Sequence, residues 1–190
     1  TTTLQKPVQV GFAFTGSFCT FSQVISQLEA VAQHPNWEVI PIMSPNAYSI
    51  DTRFGLAKDF RAQIQKICNH EIIHTIFDAE PIGPKKLLDV LVVAPCTGNT
   101  LGKLANGIYD TSVTLAVKAH LRNARPVVIA VSTNDARQVL KKDILGTFNE
   151  LAVYKFTTAD SGLPERHIEN MVEPKRNQGA FQKSVDKSAA

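Results

Sequence analysis

Two runs without a single polar residue, Val90-Leu91-Val92-Val93-Ala94 and Val127-Val128-Ile129-Ala130-Val131, constrain this chain more than any other feature. A strand with one face in water alternates apolar and polar residues, so a strand that is apolar throughout must be covered on both faces. Val8 to Phe14 and Val39 to Met43 have the same β-branched and aromatic character, and Ala152 to Phe156 supplies a last strand. Between them the spacing turns helical. Phe21, Val24, Ile25, Leu28 and Val31 form a stripe within Thr20 to Gln33, and Phe60, Ile64 and Ile67 form another within Phe54 to Cys68. Thr100 to Ala124 holds a third helical stretch, broken near Gly107 to Asp110. Strands alternating with helices predict an α/β fold: a three-layer, doubly wound, mostly parallel sheet.

Length and composition agree with one such unit. The 190 residues, 44% apolar and 19% charged, suit a single globular domain, with a polar C-terminal segment from about residue 161. A net charge of +3 with scattered basic residues argues against nucleic acid as a partner. No apolar run reaches the ~20 residues of a membrane span, and the first residues carry no signal-peptide pattern. Cys19, Cys68 and Cys96 form no metal-type spacing, which points to reduced thiols and a cytoplasmic setting. His70 and His74, four residues apart, lack a third ligand in sequence, so no metal site is expected.

Right-handed crossovers bring the loops that follow parallel strands to one edge of the sheet, where ligands of such folds bind. Four loops therefore matter. Thr15-Gly16-Ser17 ends the first strand and opens a helix, so it fits either a phosphate cradle or a plain helix cap. It matches neither the dinucleotide fingerprint nor the P-loop. Ser44-Pro45-Asn46 follows the second strand with a hydroxyl and an amide, and also reads as a simple turn. Pro95, Thr97, Asn99 and Thr100 crowd the end of the third strand, with Lys103 one turn further on; Asn99 or Thr100 could equally cap the next helix. Ser132 to Asp135 completes the rim with Asn134, and Asp135 is a candidate acid or base. Arg53, in Thr52-Arg53-Phe54-Gly55, has the planar fork that clamps a carboxylate.

The run from Asp89 to Asp110, which contains Ala94-Pro95-Cys96-Thr97-Gly98-Asn99-Thr100 and Lys103, resembles the third-strand signature of the flavoprotein family. That family includes flavin-containing cysteine decarboxylases and flavin prenyltransferases. Thr15-Gly16-Ser17 resembles its first phosphate loop and Ser44 its second. The resemblance implies a flavoprotein (Rossmann-like) sheet and flavin mononucleotide held by Thr15, Gly16, Ser17, Ser44, Pro95, Thr97, Asn99, Thr100, Lys103 and Asn134.

Within the family, Thr15 to Cys19, Thr52 to Gly55, Ala79 to Pro84, Thr97 to Asn99 and Arg122 to Ala136 resemble one particular branch. Its members are B subunits that act beside a dehydrogenase-like, NAD(P)-binding A subunit. Together the two chains oxidise a cyclic dihydro dicarboxylate to pyridine-2,6-dicarboxylate in the mother cell of spore-forming bacteria. The resemblance thus implies an oxidoreductase subunit, a partner A chain, a dicarboxylate substrate and homo-oligomerisation, with Arg53 and Asp135 as candidate reactive residues. The alternatives are a stand-alone flavin enzyme and a non-catalytic scaffold for the A chain. Counting back from Asp89 puts the decarboxylases' catalytic histidine near Pro81, and of their segment after the fourth strand only Asn134 survives. Both departures speak against cysteine decarboxylation.

Overall fold

In the computed structural model, which describes residues 6–132 and 151–155, a five-stranded sheet runs parallel throughout in the order β2-β1-β3-β4-β5. The strands are β1 (Val8–Phe14), β2 (Trp37–Met43), β3 (Val90–Cys96), β4 (Val127–Val131) and β5 (Leu151–Lys155). The helices are α1 (Phe21–Ala32), α2 (Pro45–Ser49), α3 (Ala57–Cys68), α4 (Ile76–Ala79), α5 (Gly98–Ala105) and α6 (Ser112–Arg122). Single 3-10 turns occupy Phe18–Thr20 and Glu80–Ile82. Among the described residues no helix is long and apolar enough to cross a membrane.

The all-apolar strands are covered on both sides, as the pattern requires. Because successive side chains point to opposite faces, each strand feeds two cores. Val10, Phe12 and Phe14 of β1, Val90 and Val92 of β3 and Val128 of β4 pack with Phe21, Val24 and Leu28 of α1 and Ile64 of α3. Leu91 and Val93 of β3, with Ile129 of β4, pack on the other side with Leu101 of α5 and Val113, Ala116 and Val117 of α6. Gly11 lies on this second face, where a Cβ would stand 2.5 Å from the Leu88 Cδ1. The missing side chain is what lets Leu88 rest on the β1 backbone.

The predicted third helical stretch is two helices. The chain breaks at Gly107, whose φ is +68°, and restarts at Thr111. Thr111 and Thr114 cap each other reciprocally: the Thr114 N–H donates to the Thr111 hydroxyl at 3.1 Å, and the Thr111 N–H to the Thr114 hydroxyl at 3.0 Å. The Ser112 hydroxyl then donates to the Met43 carbonyl at 2.6 Å, tying the start of α6 to the carboxyl end of β2. Helices α2 and α4 are too short to show a stripe in sequence. They are set by Ser44 and Thr75, whose side chains accept from the Ala47 and Asp78 N–H groups.

The far end of α6 lies at the opposite edge of the sheet. There Arg125 donates to the Lys86 and Leu88 carbonyls and reaches the Asp89 carboxylate at 3.4 Å, pinning the turn before β3. His120 lies beside this clamp, 1% exposed, with Nε2 buried and lacking a hydrogen-bond partner among the described residues. Burial, reinforced by the Arg125 charge, pulls its pKa down to about 4, so the folded protein keeps the ring neutral. Unfolding exposes the ring and restores its affinity for a proton, so stability holds above about pH 6.5. It falls as the pH drops from there through 4, by as much as about 3 kcal/mol. Urea unfolding of wild type and His120→Phe at several pH values between these limits should show the wild-type loss and its reduction in the variant.

Candidate functional site

The carboxyl ends of β1 to β4 meet in a polar rim stitched by specific hydrogen bonds. Thr15, 1% exposed, is the centre of it. Its hydroxyl donates to the Pro95 carbonyl at 2.6 Å and accepts from the Thr97 N–H at 2.9 Å, while its own N–H donates to the same Pro95 carbonyl at 3.2 Å. The loops after β1 and β3 are thereby locked together. The Ser44 N–H donates to the Phe14 carbonyl at 2.9 Å, and the Ser132 N–H to the Cys96 carbonyl at 2.8 Å, so the β2 and β4 ends join the same row. The Ser17 and Ser132 hydroxyls close the arc across the top, 2.9 Å apart.

This geometry divides the predicted residues into those that hold the loops and those that face outward from them. Thr15 spends its hydroxyl on Pro95 and Thr97, so its role is positional. Thr97 is the cap of α5: its hydroxyl accepts from the Thr100 N–H at 3.1 Å and donates to the Thr100 hydroxyl at 3.0 Å. Capping therefore falls to Thr97 instead of Asn99 or Thr100. Ser44 caps α2 through the Ala47 N–H at 3.3 Å. By contrast, neither Ser17 nor Thr20 caps the helix it precedes. Thr20 donates to the Ser17 carbonyl at 2.8 Å, which folds the loop tightly and leaves the Ser17 hydroxyl at the rim.

The donors at this rim suit a phosphate. The first N–H groups of a helix have no intrahelical acceptor; Thr97 satisfies that of Thr100, which leaves those of Gly98 and Asn99 directed beyond the end of α5. At Gly16 a Cβ would meet nothing closer than Phe18 at 3.5 Å and Asn46 at 3.9 Å. Protein packing does not demand a glycine there, whereas close approach of a ligand to the backbone does.

Lys103 is turned to other work. Its ammonium pairs with both Asp110 carboxylate oxygens at 2.8 and 3.0 Å, and the hydrogen bond from Lys103 holds the Asp110 pKa below the usual carboxylate range. Arg53 stands on an exposed turn closed by paired hydrogen bonds between Thr52 and Gly55. Its guanidinium lies 4.8 Å over the Phe54 ring and has no acidic partner among the described residues. Asn134 and Asp135 lie outside the described residues. Cys96 is fully buried and burial pushes its thiol up to about 12, which makes it a core residue and no nucleophile at neutral pH.

Two residues make contacts that the sequence did not show. Ser132, expected on the rim after β4, closes it by pairing with Ser17. His74, weighed in the sequence only as a metal ligand, is the other. Counting back from Asp89 lands on Pro81, but α4 and the turn after it occupy that stretch. Ile73 bridges to Ile42 and accepts from the Met43 N–H at 2.8 Å, which places His74 beside the carboxyl end of β2. There it stacks on Tyr48 with ring centroids 3.8 Å apart, and Arg61 covers Tyr48 at 4.5 Å. His70 turns away to Glu38 at 2.8 Å, so the two histidines serve different contacts.

A parallel sheet with a phosphate-type rim at its carboxyl edge defines a class, and the comparisons name it: residues 1–155 match the flavoprotein family, to which this chain belongs. Within it the chain is similar to the B subunit of dipicolinate synthase from Bacillus subtilis, 44% identical over 131 residues, 69% of this chain and 65% of that protein. It thus spans just under two thirds of that relative's length. The crystal structure of the dipicolinate synthase B subunit from Bacillus halodurans superposes with a TM-score of 0.67 at 35% identity, covering 78% of this chain and 76% of that one. An FMN-dependent cysteine decarboxylase of thioviridamide biosynthesis superposes with a TM-score of 0.62 at 20% identity, over 87% and 96% of the two chains, a likeness of fold.

Replacing Thr15 with Val removes the donor to Pro95 and the acceptor for Thr97 while keeping the volume. The Pro95 carbonyl keeps the Thr15 N–H, but the half-buried Thr97 N–H loses its acceptor, so we expect a loss of about 1–3 kcal/mol in denaturant unfolding. Thiol labelling of the native protein should modify exposed Cys19 quickly and leave buried Cys68 and Cys96 untouched until denaturant is added.

Proposed function

We propose that this chain is the flavoprotein-like B subunit of a dipicolinate synthase. Its phosphate rim holds flavin mononucleotide, and it works with a dehydrogenase-like A subunit. The observation that carries this reading is the 44% identity over 131 residues to the B subunit of dipicolinate synthase. The substrate is a cyclic dihydrodipicolinate-type dicarboxylate. Its oxidation removes two hydrogens from the ring, one as hydride and one as a proton, and leaves pyridine-2,6-dicarboxylate. The hydride is accepted by an oxidised nicotinamide, NAD(P)+, on the A subunit.

The residues of this chain fit the phosphate of flavin mononucleotide. Gly16 and Ser17 offer backbone and hydroxyl from the β1 loop; Gly98 and Asn99 offer N–H groups at the start of α5; Thr15, Pro95 and Thr97 fix the two loops in register. Ser44 and Thr100 support the loops as caps and cap partners, and Asn134 is the remaining candidate contact after β4. Bound there, flavin mononucleotide would supply a two-electron carrier able to relay the hydride to the nicotinamide of the A subunit. Arg53, 4.8 Å over the Phe54 ring and without an acidic partner among the described residues, has the charge and planarity to clamp one substrate carboxylate. Asp135 is the remaining candidate for moving a proton. The subunit works in the cytoplasm of the sporulating mother cell and assembles as a homo-oligomer.

Purified protein mixed with flavin mononucleotide should retain it through gel filtration and show flavin absorbance bands. Gly16→Asp should weaken that binding at least about tenfold, because a carboxylate then meets the phosphate where backbone should. A protein that takes up no flavin would remove the cofactor from the proposal. Dipicolinate formation by the A chain with and without this chain tests the subunit role; full activity of the A chain alone would end it.

A further inference from the structure

The face of the molecule formed by α4, the Glu80–Ile82 turn and α6 carries a groove of about 310 Å³ on the side of α6 away from the sheet. Pro84, Leu115 and Ala119 make its floor and Glu80, Lys118 and Arg122 its rim. The walls are close together because Gly83 packs against α6, where a Cβ would stand 3.1 Å from that of Ala119, and the Asn123 amide donates to the Gly83 carbonyl at 2.9 Å. Beside the groove, α4 presents Phe77, 87% exposed, and Ile76, 48% exposed. An aromatic ring so bare, next to an apolar-floored groove, has the character of an interface anchor.

Charge selects the occupant. Lys118 and Arg122 on the rim, with Lys85 and Lys86 exposed just after Pro84, set four cations against two acids, Glu80 and the Asp78 of α4. None of the four pairs with an acidic side chain among the described residues; Lys118 instead lies 4.7 Å over the Tyr109 ring. The opposite helical face is nearly balanced, with Lys58, Arg61 and Lys66 against Glu29 and Asp59. A small free anion would meet only the cationic rim and leave the apolar groups of Pro84, Leu115 and Ala119 uncovered. A second copy of this chain, packed on the same face, would set cations against cations. A protein segment with carboxylates spread around a small apolar side chain satisfies both the floor and the rim.

We infer that this basic-rimmed groove, with Phe77 beside it, is the surface by which the chain docks an acidic segment of its partner subunit. The inference rests on the proposed two-subunit function and adds where and by what chemistry the chains meet. It also separates the two tasks in space: the flavin-type rim lies at the carboxyl ends of the strands, while the groove lies on the outer flank of α6.

The test uses both full chains and measures their binding at low and high salt. Wild type should bind the A chain, less tightly as salt rises. The double variant Lys118→Glu/Arg122→Glu should bind at least about tenfold more weakly and lose most of the salt dependence. Lys118→Gln/Arg122→Gln, a milder change that guards against misfolding, should fall between, and Phe77→Ser should weaken binding at all salt concentrations. Reversal on the other face, Lys58→Glu/Lys66→Glu, should leave affinity unchanged. If wild type binds and Lys118→Glu/Arg122→Glu binds equally well, the groove is not the docking surface, although the two-subunit function stands. If that double variant changes only the self-association of this chain, the occupant is a second copy and the inference is wrong. Failure of wild type to bind the A chain at any salt would instead overturn the subunit function, and this surface assignment with it.

Discussion

The hydroxyl of Thr15 is the point on which the carboxyl edge of the sheet depends. It is buried, it donates to one backbone carbonyl and accepts from one backbone N–H, and both belong to the loop after β3. A buried hydroxyl with both capacities used is worth more than its net hydrogen-bond energy, since losing it leaves the Thr97 N–H without an acceptor and the Pro95 carbonyl with only the Thr15 N–H. Through it the β1 loop, the Pro95 to Thr97 turn and the start of α5 keep a fixed spacing. Such a spacing is what lets several backbone N–H groups converge on one anion. A phosphate site built from backbone needs this kind of scaffolding, because no long side chain can adjust to errors in loop position.

The two edges of the sheet are managed differently. At the carboxyl edge, polar groups bond one another in a row and leave donors facing outward. At the opposite edge Arg125 gathers the Lys86 and Leu88 carbonyls, and His120 beside it stays neutral because burial outweighs its affinity for a proton. One edge is open to a ligand and the other is closed with protein groups. Charge is divided as well: the α6 flank sets four cations against two acids, the α1 and α3 flank three against two.

Much of the fold was legible in the residues. The all-apolar runs at Val90 and Val127 require cover on both faces, and helical stripes between strands supply it, so the doubly wound parallel sheet follows from periodicity alone. What periodicity could not show were α2 and α4, each less than two turns long and set by a single capping hydroxyl at Ser44 or Thr75. The stacking of His74 on Tyr48 was hidden too, because no local pattern connects the two residues. In the site, the loops were readable because they follow strands. The roles of their hydroxyls were not, because Ser and Thr look alike in sequence whether they cap a helix, bridge two loops or face a ligand.

The sequence by itself determined the layers, the edge at which ligands of such folds bind and the family to which the chain belongs, since each follows from local pattern or from contiguous motifs. Tertiary structure alone decided the work of each polar group. Thr15 and Pro95 are eighty residues apart, and Ser17 and Ser132 a hundred and fifteen, so only the packed sheet brings them within bonding distance. It likewise drew Lys103 to Asp110, put His74 against Tyr48, and gathered the cations of two separate segments around one groove. A hydrogen bond or a charged surface is a property of distances in space, and strand order sets those distances where chain order does not.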